Sequence, residues 1–449
     1  MPPARKQHFF HLPPELRNNV YREVFSHPRC NAQALRVCKL FYREALPFLY
    51  SHQLIFRSQT SLYEWVASAE TIQVSWVKAI RLCIRNIDLS PVLDSVSSQP
   101  PLRPRSPELI NQELERLEQA LTRLTGLCEL TMDPIQTTSP RSHQRLALCS
   151  SFLELAARRS PHLRRLSFIS DKHSIICVQG LRNLQSLHIS GYLPNTPAET
   201  LEVLFSLPHL TELEVDNTFR LYDSAGVYHG RKPHLSFTPD VLRRMRPLKS
   251  FGIYDFGWTT ITPVNGSKQR SPEDQGVFVN PEMLQALYDT HLTTLERLRI
   301  SGDGSPETKM VDALRVLLRA SRIEHFETSI PAFVSSIYVN SLPPTLRSLH
   351  VDNDYPMFFV EWSQELLSRK TCGALPMLGE VVLCCPHHCS EDADLRKFGF
   401  DKYAISEHVR AFREEGVRLN AEARLWSSVY ASGTISHSRQ TESTVPSIL

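Results

Sequence analysis

The chain has 449 residues, 41% hydrophobic and 22% charged, the balance of an ordinary globular protein long enough for a large core and more than one module. Its net charge of +3 is too small for this length to predict a general electrostatic partner, so neither a nucleic acid nor a membrane is expected. No run of about 18 apolar residues predicts a transmembrane helix, and MPPARKQHFFHLPPEL lacks an apolar stretch ending in small residues, so no signal peptide is expected. The ten cysteines, among them Cys30, Cys38, Cys83, Cys149 and Cys177, are scattered, several in apolar stretches. That usage predicts buried free thiols and an intracellular setting, cytoplasmic, nuclear or both.

Residues 8–52 read as a small helical module. Pro13 and Pro14 fit a helix entry with Glu15 in its first turn. Leu16, Val20 and Val24 then share one face by their spacing of four. A second helix carries Ala34, Leu35, Val37, Cys38, Phe41, Ala45 and Leu49, and Pro47 is expected to end or kink it. Beyond it come a strand-like Leu54-Ile55-Phe56, a helix around Leu62 to Ala69, and an alternating Ile80, Leu82, Ile84. The Ser/Pro-rich stretch 88–107 reads as a flexible insertion.

From there to about Cys385 one signature recurs nine times: Leu, two residues, Leu, one residue, Leu or Ile. Its copies are Leu127-Leu130-Met132, Leu163-Leu166-Phe168, Leu184-Leu187-Ile189, Leu210-Leu213-Val215, Leu248-Phe251-Ile253, Leu295-Leu298-Ile300, Ile323-Phe326, Leu346-Leu349-Val351 and Leu378-Val381-Leu383. The last two apolar positions alternate with polar ones, as in a half-buried strand. Helices are predicted between the copies. Ser106-Pro107, Thr196-Pro197, Thr238-Pro239, Asn280-Pro281 and Ser305-Pro306 each place a capping side chain before a proline. Central residues lie about 21 to 47 apart; the shorter spacings are those of leucine-rich repeats. Residues 391–430 read as a helical cap with Ala404, Ile405, Val409, Phe412 and Val417 on one face, and 431–449 as a disordered Ser/Thr-rich tail.

Chemistry-bearing motifs are sparse. Gly302-Asp303-Gly304 has no lysine placed for a phosphate and reads as a turn. Cys384-Cys385-Pro386-His387-His388-Cys389 crowds zinc-ligand types too closely to surround one tetrahedral ion, so no metal site is expected, and no cofactor. No nucleophile sits at a strand-helix elbow, and no catalytic residue is assigned. Arg158-Arg159 with Arg164-Arg165, and Arg243-Arg244, are expected to complement helix dipoles and stay solvated.

The order Leu12-Pro13, helix, turn, helix with Val37-Cys38-Lys39 resembles an F-box, and the ending Glu44-Ala45-Leu46-Pro47-Phe48-Leu49-Tyr50 is similar to the variant common in fungal proteins. The repeated signature resembles an irregular leucine-rich-repeat solenoid over most of 76–385. The expected fold is therefore α/β: an F-box-like helical module (8–52) followed by an irregular leucine-rich-repeat-like solenoid (53–390), parallel strands concave and helices convex. The resemblance implies that Leu12, Pro13, Leu16, Val20, Leu35, Val37 and Cys38 match family positions. Some of them would face the adaptor subunit of a cullin–RING ubiquitin ligase, the rest the module's core. Strand positions between the leucines would face an unknown protein substrate: Glu129, Asp133, Glu212, Glu214, Asp216, Arg297, Arg299, His350 and Asp352. The expected role is a non-catalytic substrate receptor, not an enzyme; the alternative is an interaction scaffold whose module only caps the repeats.

Overall fold

The structure is a computed structural model that describes residues 9–26, 38–84, 106–132, 142–169, 175–190, 198–216, 239–255, 280–302, 308–328, 336–352, 359–386 and 409–424. It divides into two compact units; of the described residues, those up to Leu295 belong to the first and those from Glu296 to the second. The stretches 88–105, 387–408 and 425–449 lie outside the described residues, and with them the insertion, the Cys389 end of the metal-like motif and the tail.

The first unit opens with helix α1 (Pro14–Ser26) and helix α2 (Lys39–Ser51). The Cys38 side chain caps α2 by accepting a hydrogen bond from the Phe41 N–H. Pro47 does not end α2, which continues to Ser51. A proline removes its own donor and crowds the carbonyl four residues back; the burial of Ala45 and Leu46, the two residues before it, favours the helix against that cost. Strand β1 (Leu54–Phe56), helices α3 (Gln59–Ser68) and α4 (Thr71–Trp76) and strand β2 (Ala79–Leu82) follow. Then strands and helices alternate: α5 (Ser106–Arg123), β3 (Glu129–Met132), α6 (Ser142–Arg159), β4 (Arg165–Ile169), a 3-10 turn (Ile175–Val178), β5 (Ser186–Ser190), α7 (Ala198–Ser206), β6 (Glu212–Asp216), α8 (Pro239–Arg244), β7 (Ser250–Asp255) and α9 (Pro281–His291). Asn280 caps α9 as expected, accepting from the Met283 N–H at 2.8 Å. The capping side chains of Thr196, Thr238 and Ser305 lie outside the described residues.

Strands β1 to β7 pair in parallel in chain order. Register sets Leu130, Leu166, Leu187, Leu213 and Phe251 side by side in one row, and Phe168, Ile189, Val215 and Ile253 in a second. All nine are buried. The leading residue of each signature is buried too, and in four of them the N–H closes a tight turn: Leu127 to Leu124, Leu163 to Ser160, Leu184 to Leu181 and Leu210 to Leu207. The three-residue offset thus turns the chain off its helix and aims it into the sheet. Burying each such side chain contributes roughly 1.5–3 kcal/mol.

The second unit repeats the scheme with β8 (Arg297–Gly302), α10 (Thr308–Ala320), β9 (His325–Thr328), α11 (Ser336–Val339), β10 (Ser348–Asp352), α12 (Phe359–Thr371), β11 (Glu380–Pro386) and β12 (Arg418–Arg424). These strands are again parallel and sequential. Here the structure departs from the expected helical cap over 391–430. Helix occupies 409–414, Gly416 takes a φ of 72°, and the chain then extends as β12 along β11. Positive φ suits the residue that ends a helix, and the alternating Leu419, Ala421, Ala423 suits a strand.

One buried polar group holds a corner of the first unit. His291 is fully buried, accepts from the Leu248 N–H through Nδ1 (3.0 Å) and donates from Nε2 to the Leu242 carbonyl (3.0 Å). A backbone N–H can only donate and a carbonyl only accept, so the ring is fixed as the neutral Nε2–H tautomer. Burial lowers its pKa from the ordinary 6.5. The unfolded state then binds the proton first as pH falls. Stability from this group is complete above pH 6.5 and is lost progressively below it. His291→Leu should therefore lower the thermal midpoint at pH 7.5 and narrow its gap to wild type at pH 5; a constant gap would exclude the neutral ring as the cause.

Candidate interaction surfaces

In the N-terminal module the buried face of α1 is Tyr21 and Phe25, packed with Ala45 and Leu46 of α2 and against Phe9, Phe41 and Phe48. Tyr21 meets Phe41 edge to face at 5.0 Å and Phe9 at 5.6 Å. A polar network crosses this core. Arg17 grips Glu44 with two bonds, Nε to Oε2 (2.8 Å) and Nη2 to Oε1 (2.6 Å), and donates a third from Nη1 to the Leu12 carbonyl (2.6 Å). The Tyr21 hydroxyl donates to Glu44 Oε2 at 2.8 Å. The Arg17 guanidinium holds the Glu44 carboxyl below its ordinary value, with the Tyr21 hydrogen bond adding to it. Burial, with the Glu44 carboxylate next, pushes Tyr21 up to about 12. Arg17 thus ties the Leu-Pro entry, α1 and α2 into one rigid piece.

A neighbouring stripe of α1, one residue round from the buried one, is apolar and open to solvent. Leu16, Val20 and Val24 are 49%, 40% and 36% exposed, and on α2 Leu40 and Tyr42 are 45% and 43% exposed. Of the residues the F-box resemblance points to, Leu16, Val20 and Pro13 are exposed, while Leu12 and Cys38 are half-buried. Leu35 and Val37 lie outside the described residues. Val24, Leu40 and Tyr42 join the exposed set; the spacing of four signals Val24, whereas nothing in the sequence distinguishes the outer from the inner positions of α2. Tyr50 at the end of α2 packs on Trp65 (5.8 Å) and Trp76 (6.4 Å) and so joins the module to the first strand-helix layer.

The second surface is the sheet face that the apolar rows leave outward. In the first unit it carries Glu129, Arg165, Ser186, Glu212 and Ser250 in one row and Arg81, Thr131, Ser167, His188, Glu214 and Gly252 in the next. Glu129 accepts from Gln53 Nε2 at 3.4 Å, and Thr131 from the same nitrogen at 3.0 Å. Glu214 lies across Gly252, where an added Cβ would come within 2.8 Å of its Cγ. Of the predicted substrate residues, Glu212 and Glu214 share strand β6. Glu129 lies three strands away, roughly 14 Å at normal strand spacing. Asp133 is outside the described residues; Asp216 ends β6 and Asp352 ends β10, and the side chains of these two are not described. In the second unit Arg299 pairs with Glu327 at 2.8 Å, and Arg297 is exposed and His350 half-buried on the same face. Sequence reasoning missed Ser167, His188, His325, Ser348 and Glu327. The rule that picked their neighbours, a polar residue between two strand apolars, would have found them.

Serine, histidine and glutamate fall in line at Ser167, His188 and Glu214. Ser167 Oγ and Glu214 Oε2 both approach the same ring nitrogen, His188 Nδ1, at 3.1 and 3.9 Å. A proton relay needs the two partners on opposite nitrogens, so this row is a set of paired side chains rather than a triad. His325, whose Nδ1 lies 2.7 Å from Ser348 Oγ, is held below its ordinary pKa by burial and by Arg297. Among the described residues no group of three or more His, Cys, Asp and Glu could hold a metal ion, and no helix is long and apolar enough to cross a membrane. In the second unit the interior holds an apolar cavity of ≈ 10 Å³ lined by Leu318, Phe326, Leu349 and Trp362 among others, too small for a ligand. In comparison with known proteins, the chain matches no family model and no curated protein.

Glu44 is the hinge of the module's electrostatics. Its pKa is depressed on folding, so its contribution is full above the unfolded value near 4.5 and is lost as pH falls through the lower folded value. The stability gap between wild type and Glu44→Gln should accordingly shrink below pH 4.5, read by chemical unfolding monitored through Trp65 and Trp76 fluorescence. Tyr21→Phe, which removes one hydrogen bond to a carboxylate, should cost about 1–2 kcal/mol; no loss would mean that the hydroxyl is equally well served by water.

Proposed function

We propose that this chain is a non-catalytic substrate-recognition subunit of an SCF-type cullin–RING ubiquitin ligase, acting inside the cell. Its N-terminal module would dock on the ligase adaptor, and its outward sheet faces would hold a protein substrate. The observation that carries this reading is the exposed stripe Leu16, Val20, Val24 on a helix whose other face is locked by Arg17, Glu44 and Tyr21. A rigid helix with an open apolar stripe suits insertion into a hydrophobic groove. Pre-organisation matters because association costs several kcal/mol of lost freedom, and burial of three aliphatic side chains offsets it only if the helix need not be ordered first.

A second reading, a scaffold whose module merely caps the repeats, draws on the packing of Tyr50 against Trp65 and Trp76. That packing accounts for α2 but leaves the α1 stripe without a purpose, so the receptor reading is preferred. On the substrate side, Glu212 and Glu214 in the first unit and Arg297, Arg299 and His350 in the second would supply opposite charge patterns.

The test is binding of the purified chain to the adaptor. Wild type should bind, and Leu16→Asp with Val20→Asp should abolish binding while changing stability by no more than about 0.5 kcal/mol, as exposed substitutions do. Val316→Asp, at a 54% exposed apolar position on α10 of the second unit, should bind as wild type does. A wild-type chain that fails to bind the adaptor leaves the capping scaffold in its place.

A further inference from the structure

Strands of the first unit are entered from turns, and arginines recur at these turns and at the helix ends before them. Several do the expected work. Arg123 donates to the carbonyls of Val66 and Ala69, Arg159 bonds Glu118, Arg243 bonds Asp240, and Arg246 donates to the Pro208 carbonyl. One corner is different. Arg158 in the last turn of α6, Arg164 and Arg165 entering β4, and Arg182 in the turn before β5 are all exposed. Among the described residues their side chains have no hydrogen-bond or ion-pair partner. The two turns are fixed side by side, because Asn183 Nδ2 donates to the Pro161 carbonyl at 2.7 Å and the Gln185 and Ser186 N–H groups both bond the Arg164 carbonyl. Described acids on the adjoining elements are Glu154, one helical turn before Arg158, Glu118, which pairs with Arg159, Glu129, opposite Arg165 on the adjacent strand and bound to Gln53, and Glu212 two strands on. Helix-dipole compensation covers only a last-turn residue such as Arg158; it does not reach Arg164, Arg165 or Arg182.

We infer that the corner formed by Arg158, Arg164, Arg165 and Arg182 is a docking site for an acidic, carboxylate-rich protein segment. The inference extends substrate binding from the sheet face, where Arg165 lies, to the turns that enter β4 and β5, and does not depend on adaptor docking. The choice of carboxylates follows from the backbone. A phosphate site draws its donors together, commonly with free backbone N–H groups. Here the N–H groups of Leu163, Arg164, Arg165, Leu184, Gln185 and Ser186 are all spent on internal carbonyls. What remains is a set of guanidinium forks at the end of α6 and at the entries to the neighbouring strands β4 and β5, each able to take a carboxylate in two-point fashion. An extended chain brings same-side residues around every 6.6 Å or so, which such an array can follow. Single-stranded nucleic acid would call for large aromatic stacking platforms beside the charges, and none of the described residues of these two turns is Phe, Tyr or Trp.

The test titrates the full-length chain, with no adaptor present, into a fluorescein-labelled peptide of alternating glutamate and serine, read by anisotropy at about 0.15 M salt. Wild type should bind. Arg164→Glu, Arg165→Glu and Arg182→Glu together should weaken binding at least about tenfold, and the matching glutamine triple should weaken it less, in the same order. The glutamine triple also serves as the readout if the reversal triple fails to fold. Lys309→Glu, Arg319→Glu and Arg413→Glu make the same change of net charge elsewhere and should leave binding unchanged. No wild-type binding, an unaffected triple, or an equal loss in the control overturns the site. Tighter binding of a phosphoserine peptide of equal charge overturns the carboxylate choice, and equal competition by a single-stranded oligonucleotide of equal charge overturns the protein partner. Since no adaptor is present, failure here leaves the adaptor reading standing, and failure of the adaptor experiment leaves this site standing.

Discussion

Register is the constraint on which the rest of this molecule depends. At the start of successive strands two consecutive N–H groups share one carbonyl of the preceding strand: Cys128 and Glu129 on Lys78, Arg164 and Arg165 on Cys128, Gln185 and Ser186 on Arg164, Thr211 and Glu212 on Gln185, Lys249 and Ser250 on Thr211. The second unit does the same with Glu324 and His325 on Glu296 and with Arg347 and Ser348 on Glu324. This shared bond sets the phase of each strand before its first residue faces the core. A slip of one residue would turn Leu166 and Phe168 outward and Arg165 and Ser167 inward, exchanging two buried apolar side chains for a charge and a hydroxyl. The leading leucine guards against that slip, since it is buried on the helix side of the same turn. The chain's solvent face is thus a consequence of its core: whatever lies between two inward apolars is outward by geometry.

The N-terminal module solves a different problem. Folding by itself favours apolar side chains inside and charges outside. Here Arg17 and Glu44 are largely enclosed, with side chains 12% and 24% exposed, while Leu16, Val20 and Leu40 face solvent. An enclosed ion pair is not a strong source of stability, because desolvation cancels much of the attraction. What it does is fix geometry. Two parallel bonds from Arg17, one from Tyr21 and one to the Leu12 carbonyl leave α1 a single orientation on α2. An inside-out distribution of this kind marks an interaction surface more clearly than exposed apolar residues alone, which are common singly.

Much of this was legible in the sequence, and the misses have physical reasons. The signature gave each of its nine strands because it records both a turn and an alternation. Strand β12 was hidden because its copy is degenerate: Gly416 stands where Leu378 stands one strand earlier, and Ala421 where Leu383 stands. The helix face Leu16, Val20, Val24 was visible as a face, but the sequence could not say which way it points, since Tyr21 and Phe25 offer an equally regular apolar pair one residue on. Partnerships such as Gln53 with Glu129 and Thr131 join residues more than seventy positions apart and have no local signal. Nothing in the sequence sets His291 apart; only packing reveals that both its nitrogens are committed to backbone.

The same edge of the fold shows why residue type alone cannot assign a role. In the second unit Arg369 reaches the Val339 carbonyl and Lys370 the carbonyls of Pro376 and Leu378, as Arg123 does in the first. These cations satisfy acceptors that a helix end or a turn leaves open, and removing them would strand a carbonyl. Arg164, Arg165 and Arg182 satisfy nothing of the kind. They keep their hydration, so the fold gains nothing from them, and like charges at adjoining turns cost a small, partly screened repulsion. Folding therefore gives no reason for three such side chains at two locked turns. A partner that supplies the missing carboxylates does, because it would convert mutual repulsion into paired attraction without moving a strand.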